Sequence, residues 1–195
     1  MIKQTEKENA KRNGWTLKDA VFGVAVPTAV AVLIVYVSTL STPALVGLKY
    51  PLLEAIVIVG VPMLIGLIWN QWAGGASGFI MGSFYALYYA DQLYAAQGAT
   101  DVSLLGNLVS AMLIGYIAGA LNKQSDSYKK MLISSVTAAI MGSLIILWVN
   151  QASSIVNNPG WGGVTLVVLP RIAAALLVPL SAQKFLKHRK VTKEH

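Results

Sequence analysis

Long apolar runs with almost no charge dominate this sequence, and they leave the chain few ways to fold. A bilayer core about 30 Å thick takes about 20 mostly apolar residues to cross as a helix, because every backbone N–H and C=O must find its partner inside the segment. Six stretches fit that description, at 18–40, 52–69, 76–90, 104–121, 131–149 and 164–184. The third is short. "NQWAGGAS" ahead of it reads either as a tight turn or as the start of a longer helix from Gly74, and five spans are the alternative to six. The runs are continuous rather than alternating, and Ala, Leu, Ile and Val fill them, which speaks against a β-barrel. The expected fold is therefore an all-α integral membrane protein: a bundle of six transmembrane helices over 18–184, with basic tails at 1–17 and 185–195.

Composition agrees. Of 195 residues, 55% are hydrophobic and 12% charged, and the mean hydropathy is +0.61, far from the charged surface a soluble domain needs. The net charge of +7 is gathered in the tails and one loop, so nucleic-acid binding is not expected. With no cysteine there is no disulfide framework, thiolate nucleophile or thiolate-held metal. The opening "MIKQTEKENAKRNGW" is polar and basic, unlike a removable signal peptide.

Basic residues orient the bundle. Five fall in the N-terminal tail through Lys18, three between spans four and five (Lys123, Lys129, Lys130), and five from Lys184 onward; the other two of fifteen are Lys49 and Arg171. Thirteen thus lie on one side of a six-span bundle, and the positive-inside rule makes that side, with both termini, cytoplasmic. Segments 41–51, 91–103 and 150–163 then face outward. The expected location is the cell membrane, as a multi-pass protein.

Small residues recur every four positions in span three and its lead-in (Gly74, Gly78, Gly82, Ala86, Ala90), in span four (Ala111, Gly115, Gly119) and in span five (Ser134, Ala138, Gly142). Such stripes let helix backbones approach closely, and internal packing is their plainest use. In span one, Ala25 and Ala29 flank Pro27 among valines, a groove suited to a partner subunit.

Three ionisable residues sit in the outer half of the bundle: Glu54 in the first turn of span two, Asp91 at the outer end of span three, and Arg171 about 10 Å below the outer start of span six at 1.5 Å per residue. A cation inside hydrocarbon costs at least about 2.5–3.5 kcal/mol, so Arg171 should face the interior and meet a carboxylate or carbonyls. It is either half of a structural clamp or the polar floor of an outward-facing pocket. "FYALYYADQLY" adds Tyr85, Tyr88, Asp91 and Gln92 to the outer half, and "WVNQASSIVNNPGWGG" adds Trp148, Asn150, Asn157 and Trp161. Together they could stack on a flat ring and hydrogen-bond its edges, although Tyr and Trp also gather at any membrane interface.

No catalytic set is legible. Both histidines, His188 and His195, lie in the basic tail; there is no Ser/His/Asp set, no pair of intramembrane carboxylates, no metal-ligand spacing and no phosphate loop followed by lysine. The chain is expected not to be an enzyme and to need no cofactor or metal. An ATPase, if one drives it, must be another chain.

The size, the six short spans, the A-x-x-x-A of Ala25 and Ala29, "GGASGFIMGS" opening span three, "IGYIAGAL" before a basic loop, and the ending "LPRIAAALLVPLSAQKFLK" together resemble the substrate-binding S components of energy-coupling-factor (ECF) vitamin transporters. The likeness spans nearly the whole chain and rests on layout; Pro27 within the A-x-x-x-A departs from a plain helix face. The resemblance implies a membrane-embedded component that binds a vitamin or similar small metabolite and docks through Ala25 and Ala29 on a transmembrane coupling subunit driven by ATPase subunits. The substrate-binding set read from depth is Glu54, Tyr88, Asp91, Gln92, Trp148, Asn150, Asn157, Trp161 and Arg171. The alternative is a non-catalytic structural or assembly subunit of a larger membrane complex, which would fill the outer half with side chains and expose its small-residue stripes to partners.

Overall fold

A computed structural model describes residues 21–25, 27–28, 55–97, 103–152 and 161–191. Among these every regular element is a helix. Two short π-helical segments, Val21–Ala25 and Ala55–Gly60, precede five α-helices: α1 (Val61–Ile68), α2 (Gln71–Gln97), α3 (Ser103–Asn122), α4 (Tyr128–Ala152) and α5 (Trp161–Val191). Leu104–Asn122, Tyr128–Ala152 and Val167–Lys187 are long and apolar enough to cross a membrane, and Ile58–Ile68 is a shorter apolar helix. Most of the first expected span, 18–40, and the start of the second lie outside the described residues.

Both π segments have a cause in sequence. Each ends two residues before a proline, Pro27 or Pro62. A proline has no N–H to give the carbonyl four residues back, and its ring collides with that carbonyl; widening the preceding turn removes the collision. Thr28 then ties its Oγ1 to the Val24 carbonyl at 2.7 Å.

The third helix is longer than its apolar stretch. Asn70 caps it, its Oδ1 accepting the Ala73 N–H at 2.8 Å, so "NQWAGGAS" begins a helix at Gln71 instead of making a turn. At the other end no glycine or proline intervenes between Gly82 and Gly98, and the helix runs on to Gln97. Asp91 and Gln92, expected at a helix end and in an outward loop over 91–103, therefore stand within α2. In the same way α5 continues through "SAQKFLKHRKV", which holds no helix breaker, so the tail expected at 185–195 is helical as far as Val191.

Glycine sets the closest contacts of the bundle. A Cβ on Gly115 would strike the carbonyl oxygen of Gly74, and one on Gly74 would strike that of Gly115. Gly66 is shut against the Gly115 carbonyl, and Gly78 against that of Ala111. A Cβ on Gly82 would lie 2.8 Å from the Leu108 Cα, and one on Gly119 would lie 2.6 Å from the Gln71 Cα. α1, α2 and α3 thus meet backbone to backbone, the arrangement that small-xxx-small spacing permits. α4 packs on α3 and α5 on α4, with α5 also touching α1 and Ala55–Gly60. Ile58, Met63, Leu67, Met81, Ile114, Ala138 and Ala175 fill one continuous core between them.

Side chains pin one end of the bundle. Asn122, fully buried at the end of α3, donates from Nδ2 to the Leu67 carbonyl at 3.1 Å and to the Ser125 carbonyl at 3.2 Å. Gln124 Nε2 donates to the Trp69 carbonyl at 2.7 Å. Lys123 and Gln124 reverse the chain with φ of 49° and 57°. The loop between α3 and α4 is so bonded to the turn between α1 and α2.

Candidate functional site

Arg171 is the largest fully buried side chain among the described residues. Its neighbour Pro170 stands inside α5 and has no N–H to donate to the carbonyl of residue 166. One position on, Arg171 turns its side chain back along α5, and Nη1 donates to the Val167 carbonyl at 2.7 Å. A guanidinium has five N–H groups and cannot be deprotonated within a protein, so this cation is a fixed feature of the interior.

Its depth follows from the helix register. α4 ends at Ala152 and α5 begins at Trp161. Along their helices Met131 and Ala182 each lie 21 residues from that connection. By the same counting Arg171 and Gly142 stand ten residues from it, at about the same height. Gly142 is where α3 meets α4: its carbonyl accepts from Ser110 Oγ at 2.9 Å, and a Cβ on it would lie 2.5 Å from Ile114 Cδ1. Lys184 lies thirteen residues beyond Arg171, or about 20 Å along the helix. Arg171 is thus nearer the start of α5 than to Lys184.

The other expected site residues divide into three groups. Asn150 is half-buried on α4, whereas Trp148 is 73% exposed and points away from the bundle. Tyr88, Asp91 and Gln92 stand on α2 and Trp161 opens α5, but their side chains, like Glu54, Asn157 and Ala29 altogether, lie outside the described residues. Ala25 is exposed, on a segment that packs against α2.

Several buried polar residues were not anticipated as such. Tyr85, read from sequence among the outward aromatics, is 7% exposed and belongs to the core. Ser77, Ser110, Ser134, Ser135, Ser143 and Asn122 are buried too. Ser134 and Ser143 bond the carbonyls of Lys130 and Ala139, each at 2.8 Å, the usual recourse of a hydroxyl within an apolar helix. Of these only Ser134 stands in a small-residue stripe read for internal packing; the others lie beside the stripes and carry no separate signal in sequence. Among the described residues no three His, Cys, Asp or Glu side chains stand close enough to hold a metal ion. Comparison with protein families, with curated proteins and with solved structures finds no match to this chain.

Proposed function

We propose that this chain is the membrane-embedded substrate-binding component of an ATP-driven, ECF-type uptake transporter for a vitamin or similar small metabolite. In this reading it crosses the cell membrane six times with both termini in the cytoplasm, carries out no chemistry itself, and relies on a transmembrane coupling subunit and ATPase subunits for energy. The observation that carries the reading is a fully buried arginine nearer the start of α5 than to the lysines at its other end. A desolvated cation held by a helix whose neighbours are glycine-packed and rigid is pre-organised to receive a carboxylate or polar edge of a metabolite.

A structural or assembly subunit is the competing reading. It calls for small-residue stripes free to meet partners, whereas Gly74, Gly78, Gly115 and Gly142 face one another, the Ala111 backbone or core side chains inside the bundle. That internal use favours the transporter reading. Glu54 and Asp91 are the two outer-half carboxylates that could serve as counter-ion to Arg171, and Glu54 is preferred because the segment that follows it, Ala55–Gly60, packs against α5. Asp91 stands nine residues beyond Gly82, the last α2 glycine closed against α3, about 13 Å further along.

The test is a thermal-shift screen of vitamins and small zwitterionic metabolites on the purified protein, repeated on Arg171→Met. A ligand should raise the melting temperature of wild type in proportion to the logarithm of its concentration. Arg171→Met should remain folded and bind at least tenfold more weakly, since Met fills similar volume without the cation. If Arg171→Met binds with wild-type affinity, the cation is only a clamp; Glu54→Gln should then restore whatever stability the single change removed.

A further inference from the structure

The lysine-bearing end of the bundle has an organisation that neither substrate binding nor ATP coupling explains. α4 presents one stripe away from its neighbours: Ile133, Ile140, Leu144 and Trp148 are all exposed, at helical spacing. Carried one turn toward the start of the helix, that stripe ends in Lys129 and Lys130, both exposed. α5 repeats the pattern in reverse. Its outward face carries Leu169, Leu176, Leu177 and Leu180, and it ends in exposed Lys184 and Lys187.

These two ends are neighbours. α4 and α5 pack together, and eight residues of sequence separate Ala152 at the end of α4 from Trp161 at the start of α5, so the four lysines, 22 to 26 residues from those helix ends, stand at comparable height on adjacent helices. Lys123, also exposed, lies in the loop bonded to that end of the bundle. Asp126 is the one acidic residue described beside these five cations. From Lys130 to Trp148 is eighteen residues, about 27 Å of helix, close to the thickness of a bilayer's hydrocarbon core.

We infer that the Lys129, Lys130, Lys184 and Lys187 cluster is a binding surface for the phosphate of anionic lipid headgroups. A lipid lying against the outer stripe of α4 or α5 would set its acyl chains on Ile133, Ile140, Leu177 and Leu180 and bring its headgroup to the lysines. The long lysine stems follow the apolar surface while the ammonium groups reach the headgroup level. An ammonium is a compact point charge suited to a phosphate, and juxtamembrane basic clusters attract anionic leaflets. Charge and apolar surface on the same helix faces select a lipid over a soluble anion, which would use only the charge. The inference is independent of the transport reading.

The test uses the full-length protein in phosphatidylcholine vesicles, with spin-labelled phosphatidylglycerol and spin-labelled phosphatidylcholine as probes. The protein-restricted fraction of each gives a relative association constant. Wild type should prefer phosphatidylglycerol severalfold, and that preference should fall as salt shortens the screening length. Changing all four lysines together (K129Q, K130Q, K184Q, K187Q) should remove at least half of the preference while leaving phosphatidylcholine association unchanged. The pairs K129Q/K130Q and K184Q/K187Q, measured separately, provide the readout if the fourfold variant fails to fold, and each should lower the preference. An unchanged preference in these variants overturns the assignment. So does a preference abolished by millimolar inorganic phosphate at constant ionic strength, which would identify the occupant as free phosphate. No preference in wild type would point to an acidic protein surface as the patch's partner and end the lipid reading.

Discussion

At the scale of single residues, glycine does what no other side chain can at the contacts between α1, α2 and α3. A methyl group at Gly115 would have to displace the Gly74 carbonyl, which is backbone on a helix already locked to two others. Gly115→Ala should therefore destabilise the protein by about 3 kcal/mol, the upper part of the range for overpacking. Gly75 is the internal control. A Cβ there meets nothing nearer than the Tyr116 Cβ at 3.5 Å, so Gly75→Ala should be neutral or stabilise by up to about 1 kcal/mol through helix propensity. Unfolding each variant in mixed micelles with increasing denaturing detergent measures both, and equal losses from the two changes would refute this account of the packing. Arg171 belongs to the same scale. Its burial could be argued from the cost of a cation in hydrocarbon, because that cost is a property of one residue. Its bond to the Val167 carbonyl could not, since it depends on the side-chain conformation that packing imposes in the folded bundle.

At the scale of elements, legibility followed hydropathy. The apolar runs 104–121 and 131–149 lie within Ser103–Asn122 and Tyr128–Ala152, with ends one to three residues apart. The third and sixth runs fell short of their helices because hydropathy marks what hydrocarbon covers, while helices continue until a breaker stops them; α2 and α5 outrun their apolar portions in this way. The buried Asn122 was opaque for another reason: its acceptor, the Leu67 carbonyl, is 55 residues away in the chain. Topology is the element-scale prediction. The α3–α4 loop carries exposed Ser127 between Lys123 and Lys129, and exposed Gln151 stands in the last turn of α4, 24 residues on. In this cysteine-free chain, Ser127→Cys and Gln151→Cys should react with a membrane-impermeant maleimide from opposite sides of intact cells or inverted vesicles, Gln151→Cys from outside. Labelling of both from one side would remove the proposed orientation, and with it the placement of Arg171 in the outer half.

At the scale of the whole molecule, the question is what covers the apolar surface that the bundle turns outward. Lipid covers most of it at no cost, so a docking face must be recognised by a change that lipid tolerates and a protein partner does not. Val21–Ala25 offers such a face. It packs against α2, Pro27 behind it is buried, and Val21, Val24 and Ala25 are exposed. An indole in place of the Ala25 methyl would extend into the surroundings without striking the bundle, so Ala25→Trp should leave the melting temperature within about 2 °C of wild type, as expected of an exposed substitution worth less than about 0.5 kcal/mol. Against a coupling subunit held by close helix contact the same indole would force the two surfaces apart, and co-purification of the ATPase subunits with tagged protein from native membranes should be lost. Ligand binding by the isolated protein should be unaffected, because Arg171 lies in α5 and the altered face on the segment beside α2. If Ala25→Trp lowers the melting temperature by many degrees, that alanine packs internally and the docking face lies elsewhere. If wild type brings down no ATPase, the transporter reading fails, and a structural subunit, recognised by whichever chains do accompany it, takes its place.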